Sequence, residues 1–163
     1  MSALYLRYRS KDELLRRLCS DGLQRYVAET QAALDDRGDA WTAYSNFMRR
    51  VVEADTHTVV LRLAGTFRPN KELYRAAEYA QELTLKLFKR VKAAGAIRSD
   101  VEVVDIALIF EQLAAVQIKS SRRTAQLRQR YLALFFDALR APTAAPLPGP
   151  PPDWQDINSR WDS

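Results

Sequence analysis

Cysteine and histidine are almost absent from this 163-residue chain, each occurring once, as Cys19 and His57. A single cysteine cannot form a disulfide within the chain, and two such residues are too few for a Cys/His metal site. Cys19 lies on an apolar helical stripe, which favours a core position over a nucleophile. His57 is more typical of a helix terminus or a pocket wall than of a catalyst. Because the chain also lacks a phosphate-binding loop, we expect no enzyme, no metal and no cofactor.

Glycine and proline are also scarce over most of the chain. Residues 1–140 contain four glycines and a single proline, Pro69, whereas six of the seven prolines fall in the last 22 residues. A domain of many short strands needs more turn residues than this. The composition therefore predicts an all-α domain followed by a Pro-rich tail.

Long hydrophobic runs are missing too. No run of about 18 apolar residues occurs, so we expect no transmembrane helix and no membrane partner. The N-terminus lacks the apolar middle of a signal peptide, which predicts a cytoplasmic location. The formal net charge of +5 is unevenly distributed along the chain, because residues 141–163 carry one arginine and three aspartates. The basic residues near the N-terminus could attract phosphates or form a solvated helix face.

Apolar spacing and capping residues predict helices along the body of the chain. Ser10 and Ser99 each begin a capping box, Asp39 and Asn70 are typical N-cap residues, and Gly95 is typical of the position after a helix. A 3–4 spacing of apolar residues follows each cap. The predicted helices cover residues 11–35, about 40–55, 59–64, 71–93, 101–120 and 123–140.

The last two predicted helices are unusually apolar. The helix over 101–120 is apolar almost all round, and the helix over 123–140 is apolar on two faces. A helix of this kind is buried on more than one side, which indicates a subunit interface in a domain of this size. The Pro-rich tail predicts a disordered extension or, alternatively, a ligand for a Pro-binding module. Its Trp154 and Trp161 could dock back on the body.

Two motifs resemble those of TetR-family transcriptional regulators. Residues 4–15 read Leu-Tyr-Leu-Arg-Tyr-Arg-Ser-Lys-Asp-Glu-Leu-Leu. In the family, a Leu-Tyr-x-x-Phe/Tyr-x-Ser/Asn-Lys-x-x-Leu signature ends the recognition helix and opens the next, long helix. Residues 95–100, Gly-Ala-Ile-Arg-Ser-Asp, resemble the turn before the helix pair that dimerises in the family. The resemblance covers residues 1–140 and implies a TetR-like C-terminal regulatory helical bundle.

The resemblance implies three segments and a short front end. Residues 1–10 would be a remnant of the recognition helix, 11–140 the ligand-binding and dimerisation domain, and 141–163 the tail. Family members carry on the order of 30–40 further residues before the Leu-Tyr signature, forming the rest of a helix-turn-helix. We favour the explanation that a late start of the reading frame, or trimming, left these residues out of the sequence. The alternative is that the chain is a genuine truncated paralogue.

The resemblance also implies how the front end would meet DNA. We expect Tyr5 and Lys11 to contact DNA phosphates, and such contacts position a protein without reading sequence. DNA is therefore expected as a partner only if the missing helices are restored.

The resemblance further implies a pocket for a small apolar or amphipathic effector, enclosed by residues 39–93 and part of 101–120. The candidate ligand-binding residues are Tyr44, Phe47, Met48, His57, Arg62, Phe67, Tyr79, Leu83, Phe110, Glu111 and Gln117. The aromatic residues could instead be core filler, and Arg62 a surface charge. Glu111 and Gln117 interrupt an apolar helix, so they could face a pocket or pair across a dimer.

A homodimer is expected to form through a four-helix bundle of the last two helices from each subunit. Its candidate interface residues are Leu108, Leu113, Val116, Leu127, Tyr131, Leu134 and Phe135. The implied function is a transcriptional regulator, a repressor, whose effector favours one spacing of two DNA-reading heads. The alternative is a helical interaction module that heterodimerises with a full-length relative and binds no DNA of its own.

Overall fold

The computed structural model describes residues 10–55, 66–140 and 145–158. These ranges contain six helices and no strand, and 74% of them is helical. The all-α class is therefore confirmed. The helices are α1 Lys11–Asp35, α2 Ala40–Glu53, α3 Lys71–Ala93, α4 Val103–Ala115, α5 Ser121–Arg140 and α6 Trp154–Asn158. The short helix predicted over 59–64 lies outside the described residues.

Local capping chemistry sets the starts of the first three helices. At Ser10, Asp39 and Asn70 the side-chain oxygen accepts the backbone N–H three residues further on, at 3.1, 2.8 and 3.0 Å. These predicted N-caps are thus confirmed. Gly95 ends α3 in the left-handed region, with φ 62°, and its N–H donates to the carbonyl of Lys92 at 3.0 Å. Glycine adopts this conformation at little cost, as expected for a residue after a helix.

The prediction for α4 was wrong at its N-terminal end. The N-cap is Glu102 rather than Ser99. Glu102 and Asp105 form their own capping box, in which the Asp105 carboxylate accepts the Glu102 N–H at 2.7 Å. The helix therefore begins at Val103, about one turn later than it would with Ser99 as the N-cap.

The C-terminal end of α4 was also predicted wrongly. The helix stops at Ala115, because the backbone of Val116 is extended, with ψ 103°. The last carbonyls of the helix accept hydrogen bonds from Arg128 of α5. A short turn then leads to α5, which begins at Ser121, two residues earlier than expected.

The helices pack around α2, which contacts α1, α3, α4 and α5. Helices α1 and α3 run parallel to each other. Near their starts Arg16 Nε donates to the carbonyl of Arg68 at 3.2 Å, and near their ends Arg90 donates to the carbonyl of Ala33 at 3.0 Å. One apolar core runs through all five long helices. The central position of α2 explains why most of its apolar side chains are fully buried.

A second, smaller apolar cluster joins the first half of α1 to the start of α3. It consists of Leu15, Cys19, Phe67 and Leu73. Cys19 is buried there, and burial raises the pKa of its thiol. A thiol with a raised pKa is a poor nucleophile at neutral pH. The predicted core position of Cys19 is therefore confirmed.

Part of the C-terminal tail lies against the domain. Residues 145–153 have no regular secondary structure and bend at Pro148 and Gly149, and Asp153 precedes the short helix α6. Trp154 and Ile157 of α6 pack against the main core. Trp161 lies outside the described residues.

Candidate functional site

Aromatic side chains from four helices meet at the centre of the domain. The ring of Phe47 on α2 lies 5.6 Å from Tyr26 of α1 and 6.4 Å from Phe110 of α4, both edge-on. Tyr44, one turn before Phe47, lies 6.4 Å from Phe88 of α3. Edge-to-face pairs at such distances stabilise aromatic clusters. The structure thus brings together Tyr44, Phe47 and Phe110, three of the predicted pocket residues.

The Tyr44 hydroxyl is the unusual group in this cluster. The side chain is fully buried, and its oxygen has no hydrogen-bond partner among the residues that the structure describes. Burial raises the pKa of Tyr44 well above its usual value. Since a buried polar group without a partner is costly, such a group requires an explanation.

The neighbouring Tyr26 hydroxyl shows the usual arrangement. It lies 3.0 Å from Thr84 Oγ1, which also lies 2.7 Å from the Ala80 carbonyl oxygen and donates to it. Burial raises the pKa of Tyr26 to about 12, and the hydrogen bond with Thr84 opposes this rise. Tyr26, which is partly buried, therefore has a hydrogen-bond partner for its hydroxyl, whereas the fully buried Tyr44 has none among the described residues.

A small cavity lies between α2, α4 and α5. Its volume is about 10 Å³, which is close to the lower limit for one water molecule. Pockets for drug-sized ligands usually span about 300–1,000 Å³. This cavity is therefore too small for a drug-sized ligand. The cavity is lined by Val51, Val52, Asp55, Phe110, Leu113, Ala114 and Arg128.

Arg128 is a buried cation on the wall of this cavity. Its guanidinium donates to the carbonyls of Val116 at 3.1 Å and Ala114 at 3.0 Å, and to Asp55 Oδ1 at 2.5 Å. Only 5% of Arg128 is exposed, whereas half of Asp55 is exposed. Cations at a helix C-terminus are favoured by the helix dipole and by the unpaired carbonyls there. Arg128 therefore joins the end of α4 to the end of α2.

Asp55 occupies a backbone conformation that is uncommon for a residue with a side chain. Its φ is 52°, in the left-handed region, directly after the last turn of α2. Aspartate tolerates this region better than most residues do. In this conformation the Asp55 carboxylate pairs with Arg128.

The other predicted pocket residues are spread over the domain. Met48 lies in the main core, Leu83 is buried on α3, and Phe67 belongs to the smaller cluster. Tyr79 is 49% exposed on α3. Glu111 is half-buried on α4, and Gln117 is exposed after that helix. His57, Arg62 and the predicted phosphate contact Tyr5 lie outside the described residues, and Lys11 is the exposed first residue of α1.

An apolar stripe remains uncovered on the outer face of α5. Leu127 is half-buried, while Tyr131 and Leu134 are 44% and 58% exposed. These three positions are spaced by four and three residues, so they lie on one helical face. Leu108, Val116 and Phe135 are half-buried, and Leu113 lies inside the subunit core at 2% exposure. Contiguous apolar groups exposed on one face are typical of interaction surfaces.

The described ranges contain no group of three His, Cys, Asp or Glu side chains that could hold a metal ion. None of the helices in these ranges is long and apolar enough to cross a membrane.

The family of this chain follows from a comparison with known protein families. A family model described as the C-terminal domain of SbtR-like transcriptional regulators, of the TetR group, matches residues 36–141. The match spans more than half of the chain. The chain belongs to the TetR family. No curated protein matches the chain.

The TetR match includes most of the features described above. It spans α2 to α5 and therefore contains Tyr44, the Arg128 network and the apolar stripe of α5, but not the tail. C-terminal domains of TetR regulators typically dimerise and bind small ligands. Residues 36–141 thus correspond to the regulatory region of a transcriptional regulator.

Sequence reasoning missed Arg128, Asp55 and Thr84. Arg128 and Thr84 are polar residues on otherwise apolar helix faces. Arg128 stands four residues after Thr124 and four before Leu132, which are both buried. This spacing is the signal that could have identified Arg128 as an inward-pointing residue. The left-handed backbone of Asp55 has no comparable signal in the sequence.

Proposed function

We propose that this chain is the effector-binding and dimerisation domain of a TetR-family transcriptional repressor. The effector would be a small apolar or amphipathic molecule that carries one hydrogen-bonding group. The buried Tyr44 hydroxyl, which has no partner among the described residues, is the observation that carries this proposal. A ligand atom that bonds this hydroxyl would recover the cost of its burial, and the surrounding aromatic rings would cover the apolar part of the ligand.

In this proposal the effector binds an opened form of the domain. The cavity of about 10 Å³ is far too small for such a ligand. A ligand that binds only an open conformation shifts the population toward that conformation by its binding free energy. Because Arg128 links the ends of α2 and α4 beside the cavity, opening of the domain would be transmitted to α4 and α5. These helices carry the proposed dimer interface.

The proposed interface is a four-helix bundle of α4 and α5 from two subunits. Leu127, Tyr131 and Leu134 would lie at its centre, with Leu108, Val116 and Phe135 around them. Leu113 is buried within the subunit, so it would support the interface from inside. Where the chain is joined to a complete DNA-binding head, Tyr5 and Lys11 would contact DNA phosphates.

The effector proposal can be tested by native mass spectrometry of the purified chain. We expect a co-purified small molecule, or one from a panel of hydroxyl- and carbonyl-bearing aromatic compounds, to bind the wild-type chain. Tyr44→Phe is expected to weaken binding about tenfold, because a hydrogen bond to a buried hydroxyl is worth about 1 kcal/mol or slightly more. Tyr74→Phe, at an exposed position of α3 outside the candidate ligand-binding residues, is the matched control. Equal binding by wild type and Tyr44→Phe would contradict the proposed role of the hydroxyl.

The dimer proposal can be tested by sedimentation velocity. Leu134→Arg places a charge in the exposed stripe of α5 and is expected to produce monomers, since an unpaired charge is costly to bury in an interface. Tyr74→Arg is a suitable control, because Tyr74 is similarly exposed, at 52%, but lies on α3. A Leu134→Arg variant that still sediments as a dimer would refute this interface.

A further inference from the structure

The tail makes contact with the domain through its backbone. Between residues 146 and 152 only Leu147 and Gly149 have a backbone N–H, because the other five residues are prolines. The Leu147 N–H donates to Asp100 Oδ2 at 3.0 Å. Two residues earlier, the carbonyl of Ala145 accepts from Arg98 Nη2 at 2.9 Å. One backbone donor and one backbone acceptor of the tail are therefore both engaged by the same turn of the domain.

That turn holds its two side chains in place without help from the tail. Arg98 and Asp100 form a two-pronged ion pair, with Nε–Oδ1 at 2.6 Å and Nη2–Oδ2 at 2.8 Å. The Arg98 backbone N–H also donates to the carbonyl of Leu139, at the end of α5, at 2.9 Å. A pair fixed in this way loses little entropy when it binds a further group. The arginine presents a donor and the aspartate presents an acceptor, side by side.

A second attachment follows after the prolines. Asp153 starts α6, since its carboxylate accepts the N–H groups of Gln155 at 2.7 Å and Asp156 at 3.2 Å. Trp154 and Ile157 of this helix are half-buried and pack against the main core. The residues between the two attachments are mostly exposed, and Leu147 itself is 44% exposed. The segment is thus held by its backbone at one point and by apolar side chains at the other.

Proline-rich sequence suits this type of binding. A polyproline backbone is already extended and has few internal hydrogen bonds to break, so little conformational entropy is lost when it docks. A tail that merely collapsed on the nearest apolar surface would use its side chains alone. Here the anchoring groups are main-chain atoms of residues 145 and 147, held by an ion pair that is formed within the domain.

We propose that the Arg98–Asp100 pair and the apolar surface under Trp154 form a recognition site for a proline-rich segment, occupied by this chain's own tail. Residues 145–147 are recognised through their backbone, and Trp154, seven residues after Leu147, fills the apolar part of the site. The tail lies beyond the residues matched by the family model. The site therefore serves a segment that the matched domain does not itself include.

The proposal can be tested by NMR on the full chain labelled with nitrogen-15. The Leu147 amide is expected to exchange its hydrogen at least about tenfold more slowly than in an isolated peptide of residues 145–158, because its N–H is bonded to the Asp100 carboxylate. Asp100→Ala should remove this protection. Asp137→Ala, which deletes an exposed carboxylate of α5, should retain it. Exchange at the peptide rate in the wild-type chain would overturn the proposal.

A pair of substitutions in the tail tests whether the two attachments act together. Leu147→Pro removes the donor within a run of prolines, whereas Leu147→Ala shortens the side chain and keeps the N–H. We expect only Leu147→Pro to move the Trp154 indole resonance toward its position in the isolated peptide. An unchanged Trp154 resonance in Leu147→Pro would show that the backbone contact has no role in docking and would overturn the proposal. So would equal movement in both variants.

Dilution distinguishes the chain's own tail from the tail of a second copy. Docking within one chain does not depend on protein concentration, whereas docking between chains does. We expect the protection of the Leu147 amide to persist on dilution. Loss of protection on dilution would overturn the assignment of the occupant, because the site would then hold the tail of a second chain.

Discussion

Removing the Tyr44 hydroxyl is expected to stabilise the unliganded domain. Tyr44 is fully buried, and its hydroxyl has no partner among the described residues. Burying an unpaired hydroxyl costs roughly 1–3 kcal/mol by mutational data. Tyr44→Phe deletes the oxygen but keeps the ring and its contact with Phe88. The free energy of unfolding should therefore rise by about 1 kcal/mol or more, in contrast to most substitutions in a core.

Urea denaturation followed by far-UV circular dichroism measures this change. Tyr26→Phe makes the same chemical change at a hydroxyl that pairs with Thr84, so it is expected to cost about 0.5–1.5 kcal/mol. The two variants should thus shift the denaturation midpoint in opposite directions. In a thermal scan, each kcal/mol corresponds to about 2–4 °C for a chain of this size.

Destabilisation by Tyr44→Phe would refute the reasoning. It would mean that the hydroxyl has a stabilising partner in solution, such as an ordered water, and the argument for a ligand at this position would fail. A stabilised Tyr44→Phe variant that also binds effector less tightly would link the stability cost to the function. The stability effect alone would establish only that the hydroxyl is unpaired.

Three further outcomes are expected. Arg128→Met should lower the free energy of unfolding by roughly 3 kcal/mol, because it leaves the carbonyls at the end of α4 unpaired. Asp55→Asn should lower it by less than about 1 kcal/mol, because Asp55 is half-exposed. Urea denaturation measures both changes. Stability should fall as pH rises from about 10 toward 12, because unfolded tyrosines release their protons near pH 10 while burial raises the pKa of Tyr26 to about 12 and the pKa of Tyr44 well above its usual value. A flat stability profile over this range, by urea denaturation, would contradict this expectation. Gly95→Ala should lower the free energy of unfolding by about 1 kcal/mol, because φ is 62° there and the added methyl, with no atom within 4 Å, gains no compensating contact. A neutral substitution would show that the turn relaxes.

Helix starts could be predicted where the cap depends on a few neighbouring residues. Ser10, Asp39 and Asn70 bond backbone groups three residues away, so the pattern carries the whole interaction. The start of α4 was missed because two candidate caps overlap, at Ser99 and at Glu102. Nothing local to the sequence distinguishes the two, and the second one forms the capping box.

The candidate site was predictable only for its apolar members. Periodicity places Tyr44, Phe47 and Phe110 toward the core, and the structure places them together. Helical spacing indicates that Arg128 points inward, but its pairing depends on carbonyls and a carboxylate that lie 12 to 73 residues away, which the sequence does not show. For the same reason, periodicity could not distinguish Leu113, which faces the core, from the exposed residues of the proposed interface.

The parallel pairing of α1 and α3 has a mechanical consequence. The two helices are tied near their starts by Arg16, midway by Tyr26 with Thr84, and near their ends by Arg90. They should therefore tilt together as one rod. A 25-residue helix such as α1 is about 37 Å long. A tilt of about 5° about the Asp35 end would displace Ser10 by roughly 3 Å, so a small rearrangement at the C-terminal end of α1 would become an ångström-scale movement of its N-terminal end.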